Sequence, residues 1–442
     1  MFSLDGTCRY WLYNKPVDMR KSFNELGGIV TNAMCGNQRS GDVYIFINSS
    51  RNMMKMLRHD EGGMVLYAIR LDMGRMRVPA IGGEDVISSS LPYENVIGMV
   101  RSALESPYVR RMKLLADIFI NKFVYHLPFY RQIQKYKEMG AVFSDATIGD
   151  WFAAVCAKLR PLYDALRREV LQSAYIQVDE STIPVIKEEK PRKAVKEYMW
   201  TVRDALGGAV CFHYDHGSHS GETCRKLIGG YVGTMQTDGY EVYEAYENAP
   251  GKRLIGCWAH ARRKFVEALE EDKKHASEAL VYIGKLYKLE EEMREAELEA
   301  DAIRERRQKE AYPIIQDFEK WMDAVSSGMS TKSLIGQAVA YSYVLLPRLS
   351  RYVLDGRYNI DNNGIENAIR PLALGRKNYL FAGNHAAAVR AALAYSFIAS
   401  CKAVGVDVRT WLVDVLGRIP SHNGSWQELL PAHWQQHTPT ER

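Results

Sequence analysis

The chain has 442 residues, 47% of them hydrophobic and 25% charged, enough for two to four domains with a sizeable core and ordinary for a soluble globular protein. The net charge of +5 implies little until the arginines and lysines are placed, and seven scattered cysteines without a C-x-x-C pair exclude a disulfide scaffold or cysteine zinc site and fit a reducing cytoplasm. No basic segment followed by an apolar stretch opens the chain, and no uncharged apolar run reaches about 18 residues, so neither a signal peptide nor a membrane span is expected.

In chain order, residues 1–79 read as a small α+β unit. Arg9 to Tyr13 alternates as a strand does, and Asp18 to Asn32 carries Met19, Phe23, Leu26 and Val30 on one helical face. Asp42–Asn48 and Met64–Arg70 are β-rich runs flanking a basic stretch from Arg51 to Arg58. Residues 80–109 read as a linker and helix, the glycines and serines from Ala80 to Pro92 being the linker.

Residues 110–172 are helical. Tyr130–Met139 forms one helix, Gly140 a turn, and Ser144 caps a second helix expected to run to about Leu159. That pattern is shared by a helix-turn-helix DNA-binding segment and an ordinary helical hairpin. Arg131, Lys135 and Lys137, with Lys158 and Arg160, favour phosphate contact.

Residues 173–383 form the next unit. Ala174–Val178, Tyr198–Arg203, Ala209–Tyr214, Thr234–Thr237 and Leu254–Trp258 are short strand-like runs. A helical insertion is expected at about 266–345, and Glu267 to Arg307 reads as long, charged, solvated surface helices, a route to a homo-oligomer but without a clean heptad. Residues 384–442 read as a C-terminal helical element, with Ala386–Ala403 a small-residue helix suited to close packing, and a loose polar tail after Ser421.

Three acids carry the chemical reading. Asp179 and Asp238 each end a strand-like run, and Glu366 opens a helix. Phosphodiester chemistry needs an activated oxygen and relief of charge on a pentacovalent transition state, which two Mg²⁺ ions about 4 Å apart supply. Mg²⁺ takes a few hard carboxylate oxygens, and rigid strand ends hold them well. Gly239 leaves room beside the second carboxylate. His260 and Arg263 suit contact with a scissile phosphate or orientation of a carboxylate. Arg370 can pair with Glu366 one turn away, while Pro371 is expected to end or kink that helix and turn the Gly375-Arg-Lys-Asn378 loop toward the site. Arg262, Arg376 and Lys377 add phosphate-binding charge. Asn362, Asn363 and Asn378 read as caps or loop braces, Trp258 as core, and Tyr240 as a packing or base-stacking ring. His213, His216 and His219 recur every third residue, a weak zinc signal.

The segments Val178-Asp-Glu-Ser181, Gln236-Thr-Asp-Gly-Tyr240, Cys257-Trp-Ala-His-Ala-Arg-Arg-Lys-Phe265, Asn362-Asn-Gly-Ile-Glu-Asn-Ala-Ile-Arg-Pro371 and Leu380-Phe-Ala-Gly383 occur in that order. Together they resemble the transposases of the insertion sequence 66 family over about residues 110–435. The resemblance implies a DDE enzyme with a ribonuclease H-like α/β core interrupted by a helical insertion. It implies Asp179, Asp238 and Glu366 as the metal-binding catalytic triad, two Mg²⁺ ions with Mn²⁺ as substitute, and double-stranded DNA as partner. It leaves Glu180 on the opposite face of its strand. Cleavage and strand transfer at insertion-element ends, in a bacterial cytoplasm close to the nucleoid, follow as expectations. The alternatives are a metal-dependent nuclease without strand transfer and an inactive or regulatory DNA-binding remnant.

Asp18-Met-Arg-Lys-Ser-Phe23, Ser40-Gly-Asp-Val-Tyr-Ile-Phe-Ile-Asn48 and Gly63-Met-Val-Leu-Tyr67 resemble instead the small accessory protein of the same elements. The usual transposase N-terminal region, with its cysteine-rich motif, has no counterpart in the sequence, so a fusion or decayed copy is expected to lack autonomous recognition of the element ends.

Overall fold

The computed structural model describes residues 4–71, 75–79, 86–104, 107–187 and 189–435. It is a mixed α/β structure in two compact units, Met1–Met112 and Lys113–Arg442.

The first unit is built on a sheet of five strands, β1 (Tyr10–Tyr13), β2 (Val43–Ile47), β3 (Met53–Asp60), β4 (Gly63–Arg70) and β5 (Ser88–Leu91), in the order β4-β3-β2-β1-β5. Only β1 and β2 run parallel. Every residue of β2 is buried because both faces are covered. Tyr44 and Phe46 meet Leu26 and Val30 of α1 (Phe23–Asn32), while Val43, Ile45 and Ile47 share a cluster with Val96 and Met99 of α2 (Tyr93–Leu104). Three boundaries differ from expectation. The helix starts at Phe23 because Ser22 and Glu25 form a capping box, and Asp18 already closes a turn on the Arg20 amide. The basic stretch is itself strand β3. Ser88–Leu91, read as linker, completes the sheet by pairing with the free edge of β1; residues 80–85 lie outside the described residues.

The second unit contains α3 (Pro107–Phe123), which begins just before the boundary, then α4 (Phe129–Glu138) and α5 (Asp145–Val170). Gly140, at φ +84°, makes the turn after α4, and the Ser144 hydroxyl accepts the Thr147 amide at the start of α5. α5 runs on through Pro161 to Val170. It continues because Leu159, Leu162, Tyr163 and Leu166 remain buried on both sides of the proline.

The second sheet holds β6 (Tyr175–Lys187), β7 (Lys190–Asp204), β8 (Val210–His213), β9 (Thr234–Gln236) and β10 (Arg253–Ile255), in the order β10-β9-β6-β7-β8. β6, β7 and β8 form an antiparallel meander; α6 (Gly221–Ile228) then leads to β9 and β10, both in the parallel part of the sheet. β6 and β7 are far longer than expected, pairing from Ile176↔Asp204 to Lys187↔Lys190. The far end of β6 is also pinned by Ala382, whose amide donates to Pro184 and whose carbonyl accepts Ile186.

Between β10 and the C-terminal helices lie α7 (Trp258–Glu267), α8 (Lys273–Glu295), α9 (Ala300–Arg306), a π-helical turn at Arg307–Ala311, α10 (Tyr312–Ser326) and α11 (Leu334–Leu349). The expectation of solvated surface helices is corrected here. Ala276, Ala279, Ile283, Leu286 and Met293 form a buried stripe on α8, packed in one cluster with Trp258, Phe265, Phe318 and Leu345. Arg307 is buried against Glu290, with Nε–Oε1 at 2.8 Å and Nη2–Oε2 at 2.6 Å, and Nη1 donates to the carbonyls of Tyr352 and Asp355.

α12 (Asn363–Tyr379), α13 (His385–Ala403) and α14 (Val408–Arg418) follow. α13 is buried continuously from Ala391 to Cys401, and its Ser396 and Ser400 hydroxyls accept the Phe212 and Val210 amides, covering the edge of β8. The tail expected to be loose packs as far as it is described: Trp411 donates to the Leu429 carbonyl, and Trp434 to Asp414.

A buried layer of two glutamines fixes the middle of this sheet. Gln177 on β6 and Gln236 on β9 are register partners, and the Gln177 Nε2 donates to Gln236 Oε1 at 2.9 Å. Gln236 Nε2 donates to the carbonyls of Gly256 and Asn359, and Gln177 Nε2 to that of Asp361. Gln236→Leu strands these buried acceptors, each costing about 1–3 kcal/mol when left unpaired. Urea unfolding should show a loss of about 2–3 kcal/mol; an unchanged midpoint would dismiss the layer as a structural tie.

Candidate active site

The glutamine register sets the positions of both aspartates. Side chains two residues apart on a strand share a face, and neighbouring strands lie about 4.8 Å apart. Asp179 is two residues beyond Gln177, and Asp238 two beyond Gln236, so the paired glutamines bring the two aspartate segments to neighbouring positions along the sheet. Asp179 does not end its strand, since β6 continues to Lys187. Asp238 lies just past β9, where its Oδ1 accepts the Tyr240 amide at 2.9 Å and its carbonyl accepts the Tyr341 hydroxyl at 2.6 Å. Gly239 serves a different purpose from the expected open space. Its φ is +96°, and an added Cβ would come within 2.6 Å of Leu345 on α11.

Glu366 arrives from the other side of the same layer. Asp361, whose carbonyl accepts Gln177, also accepts the Asn363 amide at 3.0 Å and so braces the start of α12. Asn362 is fully buried and bonds through its Oδ1 and amide to the Cys257 thiol, giving α12 no side-chain cap. Asn378 bonds back to the Leu374 carbonyl within α12. A Cβ on Gly364 would stand 2.7 Å from Arg203 Nη1 and 2.9 Å from Gln177 Oε1, so the first turn of α12 sits directly on the layer. Glu366 occupies that turn, where the helix dipole favours an anion.

Burial, then the charges of Glu180 and Asp238, push the Asp179 carboxyl up to about 8; Glu366 adds to the rise, and the Glu180 amide, 2.8 Å from Asp179 Oδ1, opposes it. Asp179 is therefore within the fields of both other acids. Glu366 Oε1 is 3.7 Å from His260 Nε2, and Oε2 is 3.6 Å from Arg263 Nη2. Burial holds His260 below the usual imidazole range, with Arg263 acting in the same sense and Asp238 and Glu366 opposing. Glu366 Oε1, His260 Nδ1 and the Thr201 hydroxyl across the strand from Asp179 are buried without hydrogen-bond partners. Surplus negative charge and orphaned polar atoms suit a bound cation. Among the described residues, however, no three of His, Cys, Asp and Glu already stand in a metal-coordinating cluster.

The remaining candidates divide. Arg262 and Arg263 line a cleft of about 380 Å³ with Ala259, Val266, Tyr287 and Asn363. Arg370 is exposed, and Glu366 pairs with α7 instead of with it. The expected loop at Gly375–Asn378 is the last part of α12, which passes through Pro371 unbroken. Arg376 there is tied to β6, its Nη1 donating to Ser181 Oγ, Thr182 Oγ1 and the Thr182 carbonyl, so phosphate is not its only partner. Lys377 is exposed, as are Arg131 and Lys135 on α4.

The three histidines do not assemble. His213 is held down at about 4 by burial and Arg167, His216 lies against His385, and His219 does something the sequence did not reveal. Its ring is sandwiched between Tyr198 at 3.9 Å and Tyr240 at 4.7 Å, both within 8° of parallel. His219 Nε2 is 3.0 Å from Glu180 Oε1, and the Tyr243 hydroxyl donates to Glu180 Oε2 at 2.6 Å. Glu180 follows Asp179 and Tyr240 follows Gly239, so this network fastens the two aspartate segments together from the far face of β6. The Glu180 side chain is mostly buried and bonded, so of the two settings open to it, solvated or supporting the site, it takes the second. The pairing of Glu180 with Trp200 and Thr182 with Tyr198 puts these four on one face of the sheet, but it does not announce His219.

Residues 109–390 match the family model described as Transposase IS66 family, 8–91 that described as IS66 Orf2 like protein, and 396–432 the IS66 C-terminal element. Among relatives in Sinorhizobium fredii (strain NBRC 101917 / NGR234), the uncharacterized protein y4jD is 30% identical over 340 residues, 73% of this chain and 66% of its own length. The uncharacterized proteins y4hP and y4qI are 30% and 32% identical over 73% and 70% of this chain, and 62% and 59% of theirs. The chain thus spans less than two thirds of the length of each.

The raised Asp179 carboxyl has a stability consequence. Its folded form holds a proton up to about pH 8, whereas an unfolded aspartate loses it near pH 4, so folding is penalised increasingly as pH rises between those values. Asp179→Asn removes the penalty. In EDTA the variant should melt a few degrees above wild type at pH 8.5 and close to it at pH 4.5. A difference of equal size at both pH values would contradict the electrostatic origin.

Proposed function

The chain belongs to the IS66 family of transposases, and from that premise we propose that it cuts DNA at insertion-element ends and joins the freed ends to target DNA. Asp179, Asp238 and Glu366 are the catalytic carboxylates in this reading. The observation that supports it is that Asp238, just past β9, and Glu366, in the first turn of α12, both act on the carboxyl of Asp179 on β6 and raise it. The meander β6-β7-β8 continued by β9 and β10, with the third acid on a following helix, also fits a ribonuclease H-like core.

Asp179, Asp238 and Glu366 would hold the divalent cations, Mg²⁺ being suited to hard carboxylate oxygens. When bound, these ions supply charge neutralisation at the reacting phosphate and activation of the attacking oxygen. The protein's own groups do the rest. The glutamine layer keeps the two aspartate segments neighbouring along the sheet, and the stacked His219 with Glu180 and Tyr243 holds the strand and loop that carry them. Arg263 and His260 sit against Glu366 and are placed to turn toward a phosphate, and exposed Arg262, Arg370 and Lys377 add positive charge for the DNA backbone. No covalent protein–DNA intermediate is required, because the freed 3′ hydroxyl of DNA is itself the nucleophile of the joining step.

A second reading is DNA binding without cleavage. The engagement of Glu366 with His260 and Arg263, in place of a closed carboxylate cluster, favours it. Asp238→Asn decides between them. With a labelled element end and Mg²⁺, the substitution should lower strand cleavage at least about a hundredfold while DNA affinity stays within about twofold. Mg²⁺ should raise the melting temperature of wild type and not of the variant. Cleavage equal to wild type would remove Asp238 from the mechanism, and no cleavage by either protein, with DNA binding intact, would favour the second reading. Pre-cut ends that are never joined would identify a nuclease.

A further inference from the structure

Lys122, on the last turn of α3, lies outside the carboxylate site and lacks a counter-ion. Its ammonium sits 3.7 Å above the centre of the Phe129 ring, with the Phe123 and Tyr379 rings at 5.9 and 5.8 Å. Among the described residues, Arg390 on α13 is the charged group that acts on it, and burial and that like charge lower Lys122 to about 8. Neither Lys122 nor Arg390 has a hydrogen bond or ion pair among the described residues. Arg307 pairs with Glu290, Arg348 with Glu247 and Lys187 with Glu197, while the half-buried Arg203 and Arg376 are satisfied by amide, hydroxyl or carbonyl oxygens; Lys122 has neither kind of partner among the described residues. The carboxyl end of α3 and the Phe129 face offset some of the cost, each typically by no more than about 1 kcal/mol. Two adjacent cations without an anion leave a place for one.

The surroundings narrow its identity. Tyr125 and Tyr130, which flank Lys122 and Phe129 in the chain, are 67% and 65% exposed, and Leu380 and Phe381, which follow Tyr379, are also exposed. Solvent-facing aromatic rings interleaved with cations are how proteins hold an unpaired nucleic-acid strand, phosphates on the charges and bases on the rings. The position is also suitable. α12 connects Glu366 to Tyr379, thirteen helical steps or about 20 Å away, roughly the reach of six nucleotides.

We propose that Lys122 and Arg390 bind a backbone phosphate of an unpaired DNA strand whose bases stack on Tyr130 and Tyr125, a contact separate from the carboxylate site. The inference rests on the DNA-processing reading above and names the form of DNA that the distal end of α12 holds.

The test uses the full chain, a fluorescent duplex carrying a single-stranded tail, and the same duplex with blunt ends. Lys122→Met keeps the stem over Phe129 and removes an unpaired charge, so its melting temperature should equal or exceed that of wild type; Arg390→Gln provides an independent second variant. Each should weaken binding of the tailed duplex by about 5–10-fold and reduce the slope of log affinity against log salt by about 0.7, the contribution of one single-strand phosphate. Blunt duplex should bind as before. Tyr130→Ala should weaken tailed binding about fivefold or more with the salt slope unchanged. Wild-type affinity and slope in both charge variants would overturn the inference, because a lysine that only packs on Phe129 changes neither. Equal losses on blunt and tailed DNA would overturn the unpaired-strand assignment. Wild type that binds neither DNA would instead sink the DNA-processing reading, an outcome separable from the others.

Discussion

The hydrogen bond between the Gln177 and Gln236 side chains governs the geometry of the second unit. Two amides buried side by side on adjacent parallel strands tolerate no slip in register, since a one-residue shift would send one to the opposite face and leave its polar atoms unpaired. Their remaining donors reach the carbonyls of Asn359 and Asp361, more than a hundred residues on in the chain. The same layer thus precedes both aspartate segments by two residues and seats the first turn of α12. Arg203 completes it, donating to Gln177 Oε1 and filling the space that Gly364 leaves open.

The helical insertion supports this arrangement from outside. Tyr341 and Leu345 of α11 hold the turn at Asp238 and Gly239, and the Tyr287 hydroxyl of α8 donates to Asp361 Oδ2 at 2.9 Å. The insertion is long in sequence but near in space, and its buried stripe makes it a platform for the site. Rigid support matters because the acids repel one another. Burial first, and the neighbouring acids after it, raise the Asp179 carboxyl, so ionising it inside this packing is costly.

The sequence was legible where a residue's own chemistry limits its setting. Asp179, Asp238 and Glu366 stood out as acids beside apolar runs, and the helix–glycine turn–capped helix at Gly140 and Ser144 followed from local rules. Less visible were features set by distant partners. The charged run from Glu267 to Arg307 looked solvated because its alanines and leucines, three and four residues apart, are outnumbered by charges; only the facing α10 and α11 show that the stripe is buried. Ser88–Leu91 has no strand propensity to speak of and becomes a strand because β1 offers an edge. His219 gave no sign of its stacking, since Tyr198 and Tyr240 approach it from opposite sides in the chain and meet it only once the sheet forms.

Pro371 shows how a local rule is overridden. A proline within a helix removes one donor and leaves the carbonyl four residues earlier, that of Asn367, without its helical partner. Asn367 is exposed, so water can satisfy that carbonyl. The helix beyond the proline is anchored independently: Arg376 bonds Ser181 and Thr182, Gly375 packs against the Tyr395 hydroxyl and Tyr379, and Tyr379 and Tyr395 share a hydrogen bond at 2.7 Å. With its first turn on the glutamine layer and its last on β6 and α13, α12 has no freedom to bend at the proline. Glu366 and the segment at Tyr379 are therefore the two anchored ends of one continuous helix.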